Sequence, residues 1–271
     1  MIGSTSGRYR PKRKPLDEGR PDPAGAERPT ARFLPVGDMG ISVQFGTVID
    51  RGTNDCVAAL DRLIAAAPLR GVVETVPSYR SLLVVFAPAL IDRAALLTSL
   101  QALAARAGRS GTRAGRGWNI PVVYEPPFGE DLGEVAGLLG LSPPAVVAAH
   151  TARPFRVYML GFQPGLPNLG GLPPELHVSR RTVPRAPVPG GSVMIGGGQG
   201  AIMPLPTPSG FYLLGRTPIR LFDRRRPEPA LLKAGDTIRF RQIGREEFAA
   251  IDAAVVAGDV DAGVVLEADA A

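Results

Sequence analysis

Four arginines, one glutamine and one histidine stand where the chain is densest in glycine and proline. Arg180-Arg181, Arg185 and Arg216 flank two such loops, Gly161–Pro174 and Gly196–Gly200. The planar guanidinium fork suits a carboxylate or phosphate, although any single arginine also serves as plain surface charge. Arg216-Thr217-Pro218 directly follows an apolar run and is the first of these to test as a ligand contact. Gln199 carries both a donor and an acceptor, which matches an amide-bearing ligand. His150 is the candidate general acid or base; its plainer reading is a favourable charge at the end of a helix. The run Gly161-Phe162-Gln163-Pro164-Gly165 fixes a loop of unusual dihedrals. Such a loop can aim backbone N–H groups at an anion, or it can be purely structural. Gly196-Gly197-Gly198-Gln199-Gly200 lacks the Gly-Lys-Ser/Thr ending of a nucleotide-phosphate loop and no helix follows it, so that reading is rejected. A tight turn between strands, or close approach of bare backbone to a ligand at Gly198, remains. No Gly-x-Ser-x-Gly elbow is present, which removes the usual support for a Ser-His-Asp hydrolase.

The elements that must position these residues follow from periodicity. Residues 1–31 are rich in Gly, Pro, Arg and Asp without hydrophobic periodicity and read as a disordered basic tail. Ile41–Phe45 alternates apolar and polar, as a half-buried strand does. Asn54 or Asp55 can cap a helix carrying Val57, Leu60 and Ile64 at helical spacing. Val72–Val76 and Ser81–Phe86 read as strands, Pro88–Ala105 as a helix and Trp118–Tyr124 as a further strand. That order, β-α-β-β-α-β, predicts an α+β, ferredoxin-like domain over 32–124. Ser142-Pro143-Pro144 is a helix start with proline at the first helical position, and this helix ends near His150. From Phe155 onward short β segments alternate with Gly/Pro turns, which predicts a closed barrel or sandwich within 125–245. Residues 246–271 read as a helical tail.

Composition narrows the function classes. The 271 residues are 45% hydrophobic and 21% charged, ordinary for a globular chain, with no apolar run of membrane-spanning length and no secretory pattern at the N-terminus. One cysteine and two histidines leave neither a disulfide framework nor a closed zinc site to expect, and no metal ligands are assigned. The cytoplasm is the expected compartment. The net charge of +6 suggests nucleic acid only until it is located: residues 1–32 carry eight Arg/Lys against four acids, so +4 belongs to the tail. Nucleic acid and membrane are therefore not the expected partners.

A longer pattern runs through the chain. Arg32–Asp38 with Val43–Gly46, Glu74–Val84, Ile120–Tyr124 with Asp131-Leu132, and His150-Thr151 occur in that order. They are followed by Gly161–Gly165, Leu169–Leu172, Arg180-Arg181, Pro184-Arg185, Val188–Val193, Gly198-Gln199 and Leu214–Pro218. Over about residues 32–245 this resembles the family of the 5-oxoprolinase B subunit, also called allophanate hydrolase subunit 1 or the sporulation-kinase-inhibitor family. The resemblance implies a cyclophilin-like β-barrel as the second domain, following the α+β domain. It implies a non-autonomous enzyme component that, with the 5-oxoprolinase C and A subunits, opens the cyclic amide 5-oxoproline to L-glutamate using ATP. It further implies Mg with the nucleotide in the complex, with no ATP site located in this chain. The matched positions make His150 and Arg216 the catalytic candidates, and Gly161, Phe162, Pro164, Arg181, Arg185, Gly198, Gln199 and Thr217 the substrate-binding ones. Two other readings stay open: a binding protein that inhibits a sensor histidine kinase, and a carboxyltransferase-like component acting on urea- or allophanate-type amides. The chain departs from the family pattern at Leu166, Asn168, Gly190, Gly200-Ala201 and Thr207–Phe211, all in the presumed ligand loops, which leaves substrate identity less fixed than fold.

Overall fold

The computed structural model describes residues 30–108 and 115–267. The expected N-terminal tail, apart from its last two residues, and most of the Gly/Arg-rich loop after residue 108 lie outside them.

The first domain runs β1 (Ala31–Val36), β2 (Gly40–Phe45), α1 (Arg51–Ala66), β3 (Val72–Pro77), β4 (Ser81–Phe86) and α2 (Arg93–Ala107). Its antiparallel sheet has the order β1-β2-β4-β3. Strand alternation puts Ile41, Val43 and Phe45 of β2, and Leu82, Val84 and Phe86 of β4, on one face. There Val57, Leu60 and Ile64 of α1 and Leu96 and Leu100 of α2 cover them. α1 starts earlier than Asn54 or Asp55 predicted. Asp50 is the cap, its carboxylate accepting from the backbone N–H and hydroxyl of Thr53. Similarly, α2 starts at Arg93 rather than Pro88, because the Asp92 carboxylate accepts from the N–H groups of Ala94 and Ala95.

The second domain begins with β5 (Gly117–Val122), α3 (Leu132–Leu139), α4 (Pro143–Thr151), β6 (Phe155–Leu160), β7 (Pro167–Gly170) and β8 (Arg185–Val188). It continues with β9 (Ser192–Gly196), β10 (Gln199–Ile202), β11 (Thr207–Ser209), β12 (Tyr212–Arg216), β13 (Thr237–Gln242), α5 (Arg245–Ala257) and β14 (Val265–Glu267). Eight strands form one sheet in the order β12-β9-β10-β7-β6-β13-β5-β14. Val123, just past β5, exchanges two backbone hydrogen bonds of 2.9 Å with Arg216 at the end of β12, which curls the sheet into a barrel. Trp118, Ile120, Val122, Phe155, Val157, Leu169, Val193, Ile195, Leu214 and Phe240 fill it. The separate ribbon β8–β11 covers the outer face of β9 and β12 through Val188, Met194 and Leu213. The expected α+β architecture with a barrel-like second domain is present.

Two details of the expectation change. β2, β3 and β4 take the positions of the first three strands of a ferredoxin-like sandwich, but the fourth position is filled by β1, not β5. β5 pairs in parallel with β13 along its whole length and belongs to the barrel, so the first domain ends before β5 rather than at residue 124. The reason is burial: Trp118, Ile120, Pro121 and Val122 are all enclosed, as suits an interior strand, whereas β1 packs only Ala31 and Phe33 inward and suits an edge. The C-terminal segment is also not purely helical, because β14 pairs with β5 as the eighth strand.

α1 docks on the barrel through polar contacts. β6 pairs with β13 at Phe155 and Arg156, and its ladder to β7 shifts register between Val157 and Met159, at Tyr158. The Asn54 amide donates to the Tyr158 carbonyl at 3.1 Å and to the Tyr79 carbonyl at 3.2 Å. Tyr79 donates to Asn168 at 3.1 Å, and Arg156 pairs with Asp55 beside them. Among the described residues no single helix is long and apolar enough to cross a membrane.

Candidate functional site

The ladder places the predicted site residues in two groups. Across the sheet, Arg216 pairs with Ser192, and the Ser192 carbonyl accepts from Met203. Met203 packs in one cluster with Leu166, whose carbonyl closes the loop onto the N–H of Gly161. Arg216, Thr217, Gly191 and the Gly161–Leu166 loop therefore share one end of the barrel. Gly198 and Gln199 lie beside Gly196 and the start of β12, at the other end. The length of β12 separates the two, about 13 Å at ~3.3 Å per residue. A small cyclic amide cannot touch both.

At the Gln199 end the glycines answer to the turn. Gly197 and Gly198 have φ of 64° and 74° and form the two-residue turn between β9 and β10, which demands left-handed backbone. Gln199 is buried, and its carbonyl oxygen accepts from Arg180 at 3.2 Å. Arg180 lies over the Phe211 ring at 4.8 Å, and Arg181 over Tyr212 at 4.9 Å. With no helix after the turn, these residues do not fit a nucleotide phosphate.

Arg181 and Arg185 are already neutralised. Asp131, at the head of α3, is buried. It accepts from Leu213 N–H at 2.7 Å and from Arg185, with Arg181 3.6 Å away. Arg185 also pairs with Glu130 at 3.0 Å, and Arg181 with Glu134 at 2.9 Å. These pairs hold the 180–185 segment against β12. A shallow groove opens beside them, lined by Glu130, Arg185, Pro187, Val188, Pro189 and Leu213.

Arg216 is different. Its guanidinium lies 5.8 Å from the Phe128 ring centroid and makes no ion pair or side-chain hydrogen bond among the described residues. It is half-buried against an aromatic, with its N–H fork uncommitted. Its backbone is doubly fixed by Val123, and Gly191 lets the chain pass close. A Cβ there would stand 2.3 Å from the Thr217 carbonyl, and φ is 82°. Thr217 is buried, its hydroxyl accepting from the Ile219 N–H, so it shapes the turn behind Arg216. On the same end, the loop carries Phe162 at φ 73°, with 82% of its surface exposed, followed by Pro164. This end of the barrel is the candidate site.

His150 lies in neither group. It is buried in the barrel, stacked on Phe240 at 4.5 Å and against Phe155 at 5.0 Å, with Nδ1 2.8 Å from the Tyr124 hydroxyl. Burial pushes the imidazole down to about 3 and the Tyr124 hydroxyl well above its ordinary range. Both stay neutral at pH 7, as a core pair rather than a proton relay to a ligand. The linkage has a definite sign. The folded pKa lies below the unfolded value of about 6.5, so this contribution to stability is complete above pH 6.5 and is lost as pH falls toward 3. Replacing His150 with Gln should flatten the pH dependence of unfolding between about pH 6 and 4 by ~1.4 kcal/mol per pH unit. An unchanged slope in chemical denaturation would contradict this.

Residues outside the predicted set also matter. Asp131 stands in the sequence only as part of the Asp131-Leu132 family motif; its position ahead of Glu134 and opposite Arg181 and Arg185 becomes visible once α3 meets β12. Phe128, which carries Arg216, has no sequence signal beyond its place in the Pro126–Gly129 turn. Among the described residues no group of three or more His, Cys, Asp or Glu is placed to hold a metal ion.

The model of the family described as carboxyltransferase domain, subdomain C and D, matches residues 31–232. A 5-oxoprolinase B subunit of Bacillus subtilis (strain 168) is 35% identical over 223 residues, which cover 79% of this chain and 93% of that protein. The solved structure of a protein designated TTHA0988 aligns over 76% of this chain with TM-score 0.68 and 38% identity; the chain spans 40% of that protein's length. The urea carboxylase of Kluyveromyces lactis superposes over 98% of this chain and 26% of its own with TM-score 0.72, at 20% identity, and supports the fold alone. A family match over well over half the chain and a near full-length relative lead to one assignment: this chain belongs to the carboxyltransferase subdomain C and D family, the family that includes the 5-oxoprolinase B subunits it resembles.

Proposed function

We propose that this chain is the B component of an ATP-dependent 5-oxoprolinase that opens 5-oxoproline to L-glutamate, working in the cytoplasm with the C and A subunits and inactive alone. The observation that carries the reading is the match to a 5-oxoprolinase B subunit over 93% of that protein's length. The chemistry is compatible. An unstrained lactam resists hydrolysis, and ATP supplies the driving energy in the assembly. Attack on the carbonyl builds negative charge on its oxygen, and the substrate also carries a carboxylate. Arg216, the uncommitted guanidinium at the candidate site, can donate two parallel hydrogen bonds to either group. Arg181 and Arg185 keep their carboxylate partners and hold β12, so they act on Arg216 through the strand.

A second reading, a carboxyltransferase-like role on urea- or allophanate-type amides, draws on the fold match to urea carboxylase. The test is ATP hydrolysis by this chain co-purified with candidate C and A subunits, with 5-oxoproline, urea or neither, beside the chain alone. Stimulation by 5-oxoproline only in the assembly is expected. A stable assembly that responds to urea, or to neither amide, would overturn the 5-oxoprolinase reading.

A further inference from the structure

The candidate site carries a large apolar side chain in solvent, Phe162. Phe162 is a non-glycine residue in left-handed backbone, and among the described residues it is the one at positive φ that is not glycine. It is nevertheless held in that conformation by a loop that Gly161, Gln163 and Leu166 close with two backbone hydrogen bonds, of 3.1 Å each. Strain kept at a surface position marks a role beyond packing. Here the loop presents an aromatic ring with 82% of its surface in water. Leu205 follows Met203 at the same end and is 39% exposed, and Arg216 completes the patch with its uncommitted charge. Arg216, Ser192, Met203 and Leu166 stand on successive strands or their ends, so the patch is about 15 Å across at ~4.8 Å per strand. That is wide enough to seat the central anchors of a standard protein–protein interface, and aromatic and arginine side chains are the residues that anchor such interfaces.

We infer that this barrel end is the docking surface for a second, different polypeptide, which receives Phe162 in an apolar pocket and sets an acidic or ligand-bearing face over Arg216. A second copy of this chain does not suit it: a two-fold contact centred on the patch would bring Arg216 against its own copy, charge against like charge. The length of a relative points the same way, since this chain spans 40% of TTHA0988 and the remainder is additional polypeptide joined to the same fold. The inference rests on the proposed function for the identity of its occupant, the C component of the assembly.

The experiment measures binding of the candidate C component to this chain and to three variants, Phe162→Ser, Leu205→Ser and Val73→Ser, by calorimetry. All three residues are exposed, so the fold is expected to persist, and circular dichroism melts confirm it. Val73 lies on β3, an edge strand of the first domain's sheet, 68% exposed, and serves as the control. Phe162→Ser should weaken binding at least tenfold and Leu205→Ser severalfold, with Val73→Ser unchanged. A complex that forms normally with both barrel variants overturns the interface while leaving the proposed function standing. Loss on Val73→Ser alone moves the contact to the first domain and also overturns it. No complex with the unaltered chain overturns the proposed function, and this surface assignment with it.

Discussion

Arg216→Ala is expected to lower 5-oxoproline-stimulated ATP hydrolysis roughly 100-fold or more, measured at partner concentrations that saturate the assembly, while the variant folds. The magnitude follows from removing one preorganised donor of developing negative charge, typically worth about 10²–10³ in rate. Folding is expected to survive because the closure of the barrel uses the backbone of Arg216, through its two hydrogen bonds with Val123, and not its side chain. What the side chain gives up is its contact with Phe128 and no ion pair among the described residues. Arg216→Lys separates charge from geometry. It keeps the cation and loses the planar fork, so partial recovery points to simple neutralisation and none to bidentate recognition. Steady-state kinetics then divide the loss. A rise in KM with unchanged kcat assigns Arg216 to the substrate carboxylate, and a fall in kcat assigns it to the reacting carbonyl. Normal turnover by the alanine variant would remove Arg216 from the site.

The contrast between Arg216 and its neighbours marks what a sequence can disclose. Arg181, Arg185 and Arg216 are alike as residues in Gly/Pro-rich surroundings, and their type alone predicts anion binding for each. Their difference lies in Glu130, Asp131 and Glu134, about fifty residues earlier, which reach Arg181 and Arg185 only because α3 packs on β12. Strand β2 was legible through its alternation, and β3 and β4 as short strand-forming runs on either side of a turn. β5 was legible as a strand but not as a barrel strand, since its partner β13 lies some 120 residues away and apolar content does not name a partner. Gln199 and Arg216 are seventeen residues apart in the chain, and the strands between them carry them to opposite ends of the barrel. His150 shows the same limit: its position at a helix end was readable, and the enclosing Phe155 and Phe240 were not.

Asp131 carries the largest expected effect on stability. Its carboxylate is enclosed, and three groups converge on it: the Leu213 N–H, the Arg185 guanidinium and, more distantly, Arg181. Its own N–H donates to the Leu213 carbonyl at 3.1 Å, so one residue fixes both backbone groups of Leu213 to α3. Asp131→Ala leaves the Leu213 donor unsatisfied and Arg185 with Glu130 as its remaining acidic partner, an exposed one. Breaking a buried pair by removing one member costs about 3–5 kcal/mol; with Arg185 partly in water, a loss near ~3 kcal/mol is expected. The urea midpoint should fall with little change in slope, since the folded shape is retained. Asp131→Asn keeps an oxygen for Leu213 and should lose roughly half as much. A double-mutant cycle with Arg185→Ala isolates the pair, with a coupling above ~1 kcal/mol expected for groups in direct contact. The same cycle reaches function, because Arg216 lies three residues beyond Leu213 on β12. If α3 anchors that strand for catalysis, Asp131→Asn should reduce kcat in the assembly at temperatures where the variant is fully folded, whereas full kcat would confine Asp131 to stability.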